Sequence, residues 1–116
     1  MDQKGTARQE NPHDDRRASP RKALRLRATL TAPGRTVPSQ TIDLSAGGVC
    51  VALPFALSTG DECGVCIDLS ACGSETQLEL RGRVCYCVQI GEKFRIGLQF
   101  IRMTTAGASF LRRLLR

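Results

Sequence analysis

Apolar residues that alternate with polar ones, in short runs separated by turn formers, restrict the fold of this chain more than any other feature. In residues 23–31, Leu24, Leu26, Ala28 and Leu30 alternate with Arg25, Arg27 and Thr29. A period of two belongs to a strand with one face buried, here with its cations on the other. Residues 62–69 align Cys63, Val65, Ile67 and Leu69, and residues 77–88 align Leu78, Leu80, Val84, Tyr86 and Val88. Residues 94–101 do the same with Phe94, Ile96, Leu98 and Phe100, and shorter extended runs at 40–44 and 49–53 flank a tight turn at 45–48. Pro33-Gly34, Pro38, Gly73 and Gly91 punctuate these runs. The period changes only in residues 105–116, where Phe110, Leu111, Leu114 and Leu115 share a helical stripe. Arg112, Arg113 and Arg116 lie near the end of that segment, where a helix dipole favours cations. Six strands followed by one helix predict an all-β fold, a six-stranded antiparallel barrel with a C-terminal helix.

A chain of 116 residues has room for one domain with a modest core. No run approaches the roughly 20 apolar residues of a membrane span. Residues 1–15 are polar, lack hydrophobic periodicity and read as a flexible N-terminal arm ahead of a domain over 16–116. The location expected is cytoplasmic. Seventeen Lys and Arg against eleven Asp and Glu leave a net charge of +6, and eight of the cations fall within residues 1–27. Arg dominates, and its planar fork of donors suits phosphate and the edge of guanine. Six cysteines in such a chain read as reduced thiols. Cys63-x-x-Cys66 could open a zinc site, but Cys85-x-Cys87 has the wrong spacing for a zinc ribbon. Cys50, Cys63, Cys85 and Cys87 sit in apolar, strand-like runs, so the cysteines read as small apolar filler, with no metal site expected.

Two polar motifs stand apart from this pattern. Arg16-Arg17-Ala18-Ser19-Pro20-Arg21 joins the arm to the first strand, and Pro20 stiffens it. Paired guanidiniums there can grip phosphate oxygens or bond guanine O6 and N7. Asp43-Leu44-Ser45-Ala46-Gly47-Gly48 forms a turn between strands. Strand alternation puts Asp43 and Ser45 on one face and Ile42 and Leu44 toward the core. A carboxylate can accept from guanine N1–H and N2–H, and the hydroxyl can serve a phosphate or base edge. Gly47 and Gly48 allow a tight turn and a close ligand approach.

In these two motifs and their order, the chain resembles the PilZ family, which carries Arg-x-x-x-Arg before its first strand and Asp/Asn-x-Ser-x-x-Gly between later ones. Arg17 and Arg21 match the first, with Arg16 as an additional arginine, and Asp43, Ser45 and Gly48 match the second. Gly60-Asp61 and Gly97-Leu98-Gln99-Phe100 also look like family landmarks, so the resemblance covers about residues 14–116. It implies a PilZ-type barrel that binds the bacterial second messenger cyclic di-GMP, in signalling that governs motility or biofilm formation. The ligand site it implies comprises Arg16, Arg17, Arg21, Asp43, Ser45, Gly47 and Gly48, with the arm folding over the ligand to alter a surface for a protein partner. The state implied is a monomer or weak dimer without a cofactor.

Catalysis is not expected. The single histidine, His13, lies in the polar arm, and no Walker loop, zinc-hydrolase helix or nucleophile elbow is present. A small basic barrel binding RNA or single-stranded nucleic acid is the alternative. It calls for aromatic residues on an open face, whereas Phe55, Tyr86, Phe94, Phe100 and Phe110 fall mostly at predicted core positions, so no nucleic acid is expected. A PilZ-like module that engages proteins without a ligand is a third reading, against which the intact motifs argue.

Overall fold

The computed structural model describes residues 21–73 and 77–115. These form strands β1 (Lys22–Ala23), β2 (Arg27–Ala32), β3 (Arg35–Leu44), β4 (Gly48–Leu53), β5 (Glu62–Asp68), β6 (Gln77–Ile90) and β7 (Lys93–Met103), then helix α1 (Thr105–Leu114). The sheet order is β1-β3-β2-β5-β6-β7-β4, every pairing is antiparallel, and β3 also pairs with β4. That last pairing closes β2 to β7 into the six-stranded barrel expected, with β1 as an additional short strand. Closure removes most of the sheet edge that an open β-sheet leaves to solvent.

The inward stripes read from the sequence fill the barrel. Leu30, Leu44, Leu53, Ile67 and Ile96 are fully buried, with Leu26, Val49, Val51, Val65, Leu78, Leu80, Val84 and Leu98 around them. Each large aliphatic stabilises the fold by roughly 1.5–3 kcal/mol through burial. α1 closes one end. Thr104 caps it, its Oγ1 accepting from the Gly107 amide at 3.0 Å, and Leu111 is its buried anchor. A Cβ on Gly107 would lie 2.8 Å from Leu78 Cδ1, so the glycine lets the helix sit close on the barrel.

The structure redraws several boundaries. The expected strand over 23–31 is interrupted, because the buried Thr41 side chain bonds the backbone of residues 24 and 26. Thr41 Oγ1 accepts from the Leu26 amide at 2.8 Å and donates to the Leu24 carbonyl at 2.6 Å. Pro38, read with Pro33-Gly34 as punctuation between runs, instead lies within β3, whose hairpin with β2 turns at Gly34 with φ of 81°.

Three bulges change which way side chains face. The β3–β4 register shifts between Thr41 and Asp43, so Ile42, expected in the core, is half-buried outside the core cluster. The β6–β7 register shifts between Arg81 and Gly82 and again between Val84 and Tyr86. Cys85 is the additional residue of the second shift. It displaces Tyr86 and Val88 from the inward face on which strict alternation puts them: Val84 is buried, whereas Val88 is 47% exposed. An inserted residue re-aims everything beyond it on the strand.

Candidate functional site

The outward turn of β6 assembles a row of side chains across four strands. Asp43 on β3 is opposite Cys50 on β4, Cys50 is opposite Gly97 on β7, and Gly97 is opposite Tyr86 on β6. A Cβ on Gly97 would overlap the Tyr86 ring, so the ring lies flat across a strand that only glycine leaves clear. Beneath it Cys50 is 2% exposed, and its thiol shares a hydrogen bond with the Tyr86 hydroxyl. Burial, with the thiol contact adding to it, holds the Tyr86 phenol above the ordinary tyrosine range. Burial likewise pushes the Cys50 thiol up, so it stays protonated at neutral pH.

Arg21 stands at the other end of the row. Its Nη1 donates to Asp43 Oδ1 at 2.7 Å, an ion pair between positions 22 residues apart. The β1–β3 ladder brings the pair together by setting Ala23 opposite Asp43. Lys22 leans the other way, with Nζ donating to the Leu114 carbonyl of α1 at 3.4 Å. The row therefore offers a guanidinium, a carboxylate, a flat ring and glycine-lined backbone on one outer face. Such groups can clasp a flat anionic ligand carrying a donor edge.

Ser45 departs from expectation. It is 5% exposed, and its Oγ is engaged inside its own turn. Oγ accepts from the Gly48 amide at 3.1 Å and the Gly47 amide at 3.3 Å, and lies 3.3 Å from the Gly48 carbonyl. Its hydroxyl shapes the corner instead of facing out beside Asp43. Gly48 is required there, since a Cβ would strike the Leu98 carbonyl of β7. Gly47 is exposed, and a Cβ on it would meet nothing within 4 Å. Arg16 and Arg17 lie outside the described residues, as does the arm over residues 1–15.

Tyr86 is the residue that sequence alternation missed, having assigned it to the core. Mid-strand Gly97 was the available signal, because a glycine inside a strand marks a close approach by another group. The cysteines also divide. Cys63 is buried in the core, Cys50 is buried under the outer row, and Cys85, expected as filler, is exposed at the bulge. Among the described residues no cluster of His, Cys, Asp or Glu could hold a metal ion, and no helix is long and apolar enough to cross a membrane.

The family model described as PilZ domain matches residues 15–116. Among solved structures, the Bacillus subtilis inhibitor of motility MotI/DgrA superposes with a TM-score of 0.78 at 20% identity, covering 86% of this chain and 49% of that one. This chain thus spans about half the length of that protein. The PilZ domain of YcgR from Escherichia coli with c-di-GMP gives 0.68 at 17% identity, covering 86% and 88%. The PilZ domain of CeSA from a cellulose-synthesizing bacterium gives 0.63 at 20% identity, covering 84% and 95%. Among curated proteins none matches the sequence.

Proposed function

The chain belongs to the PilZ family, and on that premise we propose that it is a receptor for cyclic di-GMP that binds the dinucleotide on the outer row and does not turn it over. The observation that carries this reading is the meeting of Arg21 and Asp43, one from each polar motif, 2.7 Å apart at the end of the row that leads through Cys50 and Gly97 to Tyr86. Several neighbours of the same fold are complexes with c-di-GMP, YcgR from Escherichia coli and MrkH from Klebsiella pneumoniae among them.

In this reading the Arg21 guanidinium bonds a phosphate or guanine O6 and N7, and the Asp43 carboxylate accepts from the guanine N1–H and N2–H edge. The Tyr86 ring supplies an apolar floor, and the Ser45–Gly48 corner presents backbone to the ligand. Arg16 and Arg17 come in from the preceding segment, and the arm orders over the bound ligand to change the surface offered to a protein partner in the cytoplasm.

Calorimetric titration with cyclic di-GMP tests the reading. Each charge-assisted contact is worth about 1.5–3 kcal/mol, so Arg21→Ala and Asp43→Ala should each weaken binding by roughly ten- to a hundredfold. Unchanged affinity in both variants removes the site. Tighter binding of single-stranded RNA than of cyclic di-GMP replaces the receptor with the nucleic-acid reading.

A further inference from the structure

β6 outruns its neighbour on one side. Its ladder with β5 ends at the Glu62–Arg83 pair, and the last bonds beyond it join Val84 to the 60–61 turn. There the Gly60 amide donates to the Val84 carbonyl and the Val84 amide to the Asp61 carbonyl, both at 2.8 Å. β6 continues to Ile90 with β7 along one edge. Among the described residues no strand lies along the other edge of residues 87–90. Natural edge strands are blunted by charge, proline, short length or a bulge; residues 85–90 contain neither charge nor proline, and the Cys85 bulge precedes the open edge at 87–90. The same segment carries two large exposed aliphatic side chains, Val88 at 47% and Ile90 at 49%. They stand two residues apart, so both face outward.

We propose that this edge pairs with the same edge of a second copy of the chain, making a two-fold dimer joined through an antiparallel β6–β6 ladder. Directly opposed residues of a ladder share a face. The register that keeps outward residues together therefore sets Val88 against Val88 of the second copy and Cys87 against Gln89. The exposed aliphatics then line one continuous stripe across the two-fold axis. An isologous interface must complement itself, and an uncharged segment does so without opposing like charges. Lys93 and Arg95 belong to β7, one strand back from the edge, and Arg83, which precedes the segment on β6, is paired with Glu62. Residues 1–20 are unsuited to the place, having no Val, Ile, Leu, Phe or Tyr and prolines at 12 and 20. Nucleic acid is unsuited too, because aliphatic side chains offer bases no ring to stack on. The dimer does not depend on cyclic di-GMP.

The test is sedimentation of the full chain from low micromolar to near-millimolar concentration, with hydrogen exchange at both ends of that range. Wild type should approach the mass of two chains as concentration rises, with amides of residues 87–90 becoming slow to exchange. Val88→Lys and, as a second variant, Ile90→Lys put a charge on an exposed edge position. Both should keep the circular dichroism of the barrel, sediment as single chains and leave those amides fast. A wild type that stays a single chain throughout overturns the proposal, as does a two-chain mass that persists in both variants. Slow amides at 87–90 in a dilute single chain also overturn it, since a segment of the chain itself then covers the edge.

Discussion

Two ion pairs on this barrel look alike and sit in different settings. Arg21 meets Asp43 at 2.7 Å, and Arg83 meets Glu62 at 3.0 Å, with Arg81 reaching the same carboxylate at 3.9 Å. In both, the side chains are partly exposed, 41% and 27% in the first and 47% and 43% in the second. Solvent screens such pairs to about 0–1 kcal/mol of stability. The difference lies in what surrounds them. Glu62 and Arg83 are direct cross-strand partners, so their pairing follows from the ladder of β5 and β6 alone. Arg21 lies just outside β1 and reaches Asp43 where β3 bulges, at the end of the row that leads through Cys50 and Gly97 to Tyr86. A salt bridge therefore says little about function until its neighbours are known.

The comparison breaks if the two pairs respond alike. Asp43→Ala should lose most of the affinity for cyclic di-GMP, whereas Glu62→Ala should stay within about twofold of wild type, under half a kcal/mol. Both should shift the urea midpoint only slightly, since each removes an exposed pair worth about 1 kcal/mol or less. Equal losses of affinity would show that general surface charge drives binding.

Gly97→Ala gives the next largest effect. Its methyl group takes the space of the Tyr86 ring, so the ring must leave the strand and give up its bond to the buried Cys50 thiol. Affinity should fall by about tenfold, the loss of one stacked aromatic contact, and the unfolding midpoint should fall as well, because the displaced ring is half-buried. Gly82 on β6 provides the contrast. A Cβ there would lie 3.1 Å from Leu98 Cβ, inside the packed barrel and away from the Tyr86 ring, so Gly82→Ala should leave the affinity for cyclic di-GMP unchanged.

A smaller effect appears at high pH. Tyr86 is the only tyrosine and there is no Trp, so ultraviolet titration reads this residue alone. Its folded pKa is raised, chiefly by burial. The stability linked to it is therefore complete below the unfolded value of about 10 and is lost as pH rises through the folded one. Absorbance of the folded chain should titrate later than that of the urea-unfolded chain, and coincident curves would place the ring in solvent.

The barrel was legible because alternation survives wherever a strand is regular. Leu30, Val65, Leu80 and Ile96 point inward as their spacing requires. Within the site, Arg21 and Asp43 were legible from their motifs, and the structure brings them together. Ser45 was read two residues on from Asp43 as if the strand continued, but the corner captures its hydroxyl. Tyr86 and Val88 were misassigned because one bulged residue reverses a face without altering composition. Thr41 carries no sequence sign that its hydroxyl replaces ladder bonds at residues 24 and 26.

Amide chemical shifts followed by NMR during titration with cyclic di-GMP test the placement of the ligand most directly. The largest changes should fall on Arg21, Asp43, Gly48, Cys50, Tyr86 and Gly97, with Glu62 and Arg83 nearly still. Changes centred on Glu62, Arg81 and Arg83, or none at saturating ligand, would contradict the account.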